Sequence, residues 1–250
     1  MKRLSLLFAV MVVTGCCSVP GGTNEHFYAG APASSNAYTV VTNKGYVAAY
    51  NETTKSPAWV CYRLFKVDSL EAPERPSGFK IDKRTKSKVS TSQYTGSGYD
   101  RGHMAPNYGI AICYGEDAQR ETFLMSNVTP QTPNLNRGPW KALEQQVAKD
   151  WAQRLGEVWV TTGPIQDSDA EEIGDGIEIP TGCFKIVIDE HEGKPRASVF
   201  VMGQNIPKSA EPTNYTATVD FVEKITGLDF FRQLPDPLEK SLESEKTKEW

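Results

Sequence analysis

Five large residues, Trp140, Leu143, Val147, Trp151 and Leu155, recur at intervals of three and four behind Asn136-Arg137-Gly138-Pro139. That spacing lays them on one stripe of a helix. Pro139 suits its first turn, where the amide it lacks would have no partner. Such a stripe has to be covered, and the rest of the chain supplies strands to cover it. Residues 38–42 and 46–50 are rich in β-branched and aromatic side chains, with the turn-forming Asn43-Lys44-Gly45 between them. Residues 59–67 make a third strand, apolar enough to be central, and residues 157–162 a fourth. Residues 183–189 and 197–202 form a hairpin across His191-Glu192-Gly193-Lys194-Pro195, which puts His191 on a solvated tip. Residues 216–226 read as a last helix, stopped by Gly227. Strands and helices are segregated and no internal repeat is visible. The expected class is α+β: one domain with an antiparallel or mixed sheet and flanking helices.

The chain has 250 residues, 39% hydrophobic and 23% charged. It can therefore bury one sizeable core, which excludes a disordered chain and a disulfide-stapled miniature. No apolar run reaches the ~20 residues that span a bilayer. The net charge of −4 excludes a protein that coats nucleic acid by bulk positive charge. It leaves room for one that grips nucleic acid locally and lets go.

The N-terminus reads as an export signal over 1–15: Lys2 and Arg3, then a short apolar core, then Val13-Thr14-Gly15 before Cys16. This is similar to the lipobox of bacterial lipoproteins, in which the cysteine is lipidated after cleavage. Cys16 would then anchor the protein to the cell envelope without spanning the membrane; without lipidation the protein would be periplasmic or secreted. Residues 16–37 read as a flexible tether in which His26 is solvated, 38–236 as the domain, and 237–250 as a charged, disordered tail. Cys61, Cys113 and Cys183 allow at most one internal disulfide, and the sequence does not choose it.

Residues 68–98 form a long excursion holding Arg75, Lys80, Lys83, Arg84, Lys86 and Lys88. Loops of this length are uncommon unless functional. The acidic stretch 166–176 lacks calcium-loop spacing and reads as a solvated loop.

Chemistry concentrates in two segments. The first is Tyr99-Asp100-Arg101-Gly102-His103-Met104-Ala105-Pro106-Asn107. It sets a cation and a titratable base beside a backbone of low bulk, which suits an anionic substrate attacked by water. A structural histidine is the competing reading. The second runs from Ser126-Asn127-Val128-Thr129-Pro130-Gln131 to Asn134-Leu135-Asn136 and on to Leu143-Glu144. Amide oxygens suit hard cations such as Mg²⁺, which keeps most of its waters. Asn136 stands just before the helix, and Glu144 two turns further on, where it can hold such waters. Asn127 and Asn136 as turn and cap residues, with Glu144 solvated, is the alternative. Walker and H-E-x-x-H motifs are absent.

Together the two segments resemble the DNA/RNA non-specific endonucleases, the ββα-metal or His-Me finger nucleases. The family's D-R-G-H stands at Asp100 to His103. Its N-x-x-P-Q stands at Asn127 to Gln131, and its L-N-x-x-x-W-x-x-L-E at Leu135 to Glu144. Further echoes are Thr162-Gly163-Pro164, Pro180-Thr181-Gly182-Cys183-Phe184-Lys185, and Thr226-Gly227-Leu228-Asp229-Phe230-Phe231.

The resemblance implies hydrolysis of DNA and RNA phosphodiesters to 5′-phosphate products. His103 would be the general base and Asn136 the one direct protein ligand of Mg²⁺, with Mn²⁺ or another divalent cation as a substitute. Glu144 would orient the waters, and Asn127 would support the site. Arg101 would contact phosphate or position its loop, and Arg75 would be the transition-state arginine. DNA and RNA would be gripped through phosphate, which carries no sequence information. The competing class is a non-catalytic surface lipoprotein that binds nucleic acid on a nuclease fold.

Overall fold

A computed structural model describes residues 24–246. The signal and Cys16 lie outside the described residues. Six strands form one antiparallel sheet in the order β1 (Thr39–Thr42), β2 (Val47–Asn51), β3 (Ser56–Phe65), β6 (Glu157–Ile165), β9 (Gly182–His191) and β10 (Lys194–Gly203). A second, two-stranded sheet pairs β4 (Asp100–His103) with β5 (Val128–Gln131), and a third pairs β7 (Glu172–Ile173) with β8 (Ile177–Glu178).

The large sheet is covered on both faces, which is why its central strands read as near-continuous apolar runs. Alternate side chains of β3 feed different cores: Val60, Tyr62 and Leu64 one, Trp59 and Cys61 the other. The first core is closed by α1 (Asn107–Thr122) and α2, a helical run over 133–155. Trp140, Leu143, Val147 and Trp151 are buried there, as their spacing requires, with Leu155 packed at the margin. The second core is closed by α3 (Val219–Thr226), capped by left-handed Gly227, and by α4 (Asp236–Ser244).

The β9–β10 hairpin turns on Glu192 and Gly193, with φ of 53° and 73°; positive φ at both positions matches the right-handed twist of the strands. His191 is exposed there. Cys61, Cys113 and Cys183 are all free thiols.

Three expectations change. Residues 26–33 are packed against the domain and do not behave as a tether. His26 is 1% exposed and sits edge-on to Tyr114, Phe27 meets Trp59, and Ala33 bridges Asp229. Three adjacent rings have enough area to outweigh the Gly, Pro and Ser around them. The charged tail begins with α4, because Leu242 buries against the second core. The excursion over 68–98 also has an interior: Val89 and Tyr94 pack with Met125, Val128, Ile173 and Ile177. Arg84 in it is a structural residue, since Asp82, Asn43 and the Thr42 carbonyl occupy its guanidinium.

Candidate active site

β4, the start of α1 and the first half of α2 line one cleft of about 610 Å³, with β5 buried behind β4. Antiparallel register sets His103 opposite Val128 and Asp100 opposite Gln131, so one end of the ribbon leads straight into the helix. Gly102 allows this pairing. A Cβ there would fall 2.2 Å from Gln131 Oε1, and the Gln131 side chain is fully buried with Nε2 on Cys183 Sγ at 3.3 Å. Gly102→Ala is therefore expected to cost about 1–3 kcal/mol through overpacking. A denaturant melt measures the loss, and an unchanged midpoint would show that Gln131 yields freely.

His103, Arg101, Arg75, Asn136 and Glu144 all line this cleft, joined by Asp100, Asn107, Arg137, Lys141 and Lys208. The His103 ring is half-buried, with its centroid 4.9 Å from those of both Phe79 and Phe123. Its Nε2 is enclosed and makes no hydrogen bond. Burial, with the Arg75 charge adding to it, pushes the imidazole down to about 3, so it is neutral at pH 7. The His103 carbonyl accepts from the Trp140 indole at 3.3 Å, which ties strand to helix.

Asn127 does not line the cleft. It is fully buried behind it, accepting from the Ala105 amide at 2.8 Å and donating to the Ala105 and Thr122 carbonyls at 2.9 Å. It thus fixes the turn that leaves His103 and the end of α1. The guanidinium of Arg75 lies 5.1 Å from the Phe123 ring centroid. The excursion is held beside the site by main-chain bonds, Lys80 N–H to Phe123 O at 2.8 Å and Met125 N–H to Lys80 O at 2.9 Å. Arg101 donates to the Thr91 carbonyl and stacks over Tyr94, so part of its reach is spent on its own turn.

Asn136 donates through Nδ2 to Asp100 Oδ2 at 2.9 Å, and Arg137 forks onto the same carboxylate at 2.6 and 2.7 Å. Burial alone would raise the Asp100 carboxyl. The bonds from Arg137 and Asn136 outweigh it and hold the group below the ordinary carboxylate range. Neither Asp100 nor Arg137 is singled out by sequence reasoning. The available signal was an arginine directly after Asn136 and an acid at the head of the D-R-G-H string.

Glu144 is half-buried; its Oε1 is enclosed without a hydrogen-bond partner, as is Oδ1 of Asn107. Enclosed acceptor oxygens on the wall of a cleft, beside an amide, form a donor set of the kind that hard divalent cations prefer. The residues present fit such an ion.

The family model described as DNA/RNA non-specific endonuclease matches residues 22–237. A nuclease of Nostoc sp. is 29% identical, over 97% of this chain and 97% of its own. A nuclease of Serratia marcescens is 30% identical, over 86% of this chain and 83% of its own. Among solved structures, a chain of the EndoG/EndoGI complex superposes with a TM-score of 0.77 at 26% identity, covering 88% of this chain and 96% of that one.

Proposed function

The chain belongs to the DNA/RNA non-specific endonuclease family, a family of nucleic-acid hydrolases, and from that premise we propose that it cuts both DNA and RNA with one Mg²⁺ ion, leaving 5′-phosphates. The observation that carries this reading is the convergence of His103, Asn136, Glu144, Arg75 and Arg101 on one cleft. His103 is neutral and takes a proton from the attacking water; with Nε2 enclosed, Nδ1 is the nitrogen left for it. Arg75 and Arg101 meet the phosphoryl oxygens as their charge grows. Asn136 would hold the cation, which supplies charge neutralisation at the phosphoryl and leaving oxygens. Asp100 engages the Nδ2 end of that amide and so leaves its oxygen free. Arg137 in turn holds Asp100. Glu144 acts from the helix as an acceptor for water around the site.

Purified protein is expected to degrade DNA and RNA with Mg²⁺, to stop in EDTA, and to yield ends that phosphatase treatment alters. Retention of nucleic acid with no cleavage at any divalent cation would instead support the non-catalytic binding reading. We further propose that Cys16 carries a lipid that ties the domain to the envelope. Among the described residues no helix is long and apolar enough to cross a membrane. Cys16→Ser is expected to move the protein from the membrane to the soluble fraction, or leave it unprocessed. A wild-type protein that is already fully soluble, with another mature N-terminus, would overturn the lipid anchor.

A further inference from the structure

Met202-Gly203-Gln204-Asn205 runs off the end of β10, and Gln204 is only 7% exposed although it is polar. A buried amide has to use what it carries, two N–H donors and a carbonyl acceptor. Gln204 spends all three on two segments, residues 130–132 and 180–181. Its Nε2 donates to the Pro130 carbonyl at 2.8 Å and to the Pro180 carbonyl at 3.1 Å, while its Oε1 accepts from the Thr132 amide at 2.8 Å. The main chain adds two bonds. The Gln204 carbonyl accepts from the Thr132 hydroxyl at 2.6 Å, and the Gln204 amide donates to the Thr181 carbonyl at 3.0 Å. Only one orientation of the side chain serves, since turned over it would set its oxygen against two carbonyls.

What Gln204 grips is the entry to α2. Pro130 stands opposite Arg101 in the β4–β5 pairing. Thr132 caps the helical run: its hydroxyl accepts from the Leu135 amide at 3.4 Å and its carbonyl from the Asn136 amide at 2.9 Å. Asn136 is thus bonded to a residue whose own amide and hydroxyl both end on Gln204. The same loop meets α2 again two residues past Asn136. A Cβ on Gly138 would fall 2.4 Å from the Lys208 carbonyl oxygen, so the glycine lets that backbone lie against the helix. Residues 204–208 therefore hold the helix entry on both sides of Asn136 and tie it to the large sheet through β10. Without the Gln204 side chain, two buried carbonyls and the Thr132 N–H lose their partners, and the entry has to move to satisfy them.

We propose that Gln204 is a positioning residue of the reaction, an amide behind the cleft that fixes the first turn of α2 and so presents Asn136 to the cation in one place. It does not line the cleft, and it acts only through the residues it holds. This rests on the nuclease reading, in which Asn136 holds the cation.

The test compares wild type with Gln204→Met, which keeps the length of the side chain and removes its hydrogen bonds. Ile188→Val, in the core closed by α3 and α4, serves as the control for lost stability alone. Two readouts are taken: amide hydrogen exchange at Leu135 and Asn136 in the cation-free protein, and calorimetric titration with Mg²⁺ beside the rate at each Mg²⁺ concentration. Gln204→Met is expected to speed exchange at both amides by roughly 10-fold or more, which Ile188→Val should not do. It should weaken Mg²⁺ binding by roughly 10–100-fold, the usual effect of losing a group that orients a metal ligand, and recover most of its rate at saturating Mg²⁺. Thr132→Val, which removes the hydroxyl bond to Gln204, should move both readouts the same way by less, and Thr132→Ser should restore them. A Gln204→Met protein that only melts earlier, with exchange at Asn136 or Mg²⁺ affinity unchanged, would reduce Gln204 to a packing residue and overturn the proposal. If Gln204→Met does not fold, Thr132→Val decides alone, and unchanged readouts there overturn it. A wild-type protein that neither binds Mg²⁺ nor cleaves would defeat the nuclease reading, while exchange at Asn136 would still report on the grip.

Discussion

Replacing His103 with alanine is expected to slow phosphodiester cleavage by roughly 10²–10⁴-fold, the usual worth of a positioned base. The Mg²⁺ dependence should stay near wild type, because Asn136, Asp100 and Arg137 hold one another without His103. Stability should fall by only about 0.5–1.5 kcal/mol, from the lost contacts with Phe79 and Phe123. The same substitution predicts a change in acid sensitivity. The imidazole is held near 3 in the fold and titrates near 6.5 once unfolded, so the unfolded chain binds the extra proton first. Its contribution is intact above pH 6.5 and is lost as pH falls from 6.5 towards 3. The alanine variant should therefore lose less stability than wild type across that window. Melting curves from pH 7 to 4, with initial rates on plasmid DNA, measure both effects. Near-normal cleavage by the alanine protein would refute the general-base role.

What could be read in advance was what the chain writes locally. His103 and Asn136 sit in short strings whose neighbours fix their surroundings: Gly102 admits Gln131 beside the strand, while the helical run opens earlier than Pro139 suggested, at Pro133 behind the Thr132 cap, with Asn136 in its first turn and Pro139 inside it. The stripe from Trp140 to Leu155 was legible because one helix buries it against one sheet face.

Arg75 was harder. Its place depends on Lys80 pairing with Phe123 and Met125, some forty residues away in sequence, and no local signal announces such a bond. α1 left little pattern because its buried face is built from small residues, Gly109, Ala111 and Ala118 with Ile110, and because Gly115 breaks it with φ of 82°. His26 was hidden by its company: composition around it says linker, while burial against Tyr114 is decided by the far side of the domain. α4 did carry a signal, Leu238 and Leu242 one turn apart behind Pro237, but charge on every side masked it.

Asn136→Ala should fail in a different way from His103→Ala, and the difference separates the metal from the base. Loss of a residue that merely supports a metal ligand costs roughly 10–100-fold in affinity or activity. Removing the one proposed direct ligand should therefore exceed roughly 100-fold at ordinary Mg²⁺. Raising Mg²⁺ should recover part of the rate, because the ion's remaining ligands are waters that the substitution leaves in place. His103→Ala should show no such recovery. The fold should tolerate the change: Asn136 is half-buried, and Asp100 keeps its two bonds from Arg137 when the amide is gone. Those bonds matter to the outcome, since an Asp100 left without Arg137 would be free to approach the cation itself and blur the result. Rate against Mg²⁺ concentration for the two variants, with calorimetric titration of the ion, reads this directly. An Asn136→Ala protein with wild-type Mg²⁺ affinity and a rate that added ion does not improve would remove Asn136 from the metal site. The residue would then be an amide in the first turn of the helical run that steadies Asp100, and the cation would have to be sought at Glu144 and Asn107, whose enclosed oxygens in the same cleft have no hydrogen-bond partner.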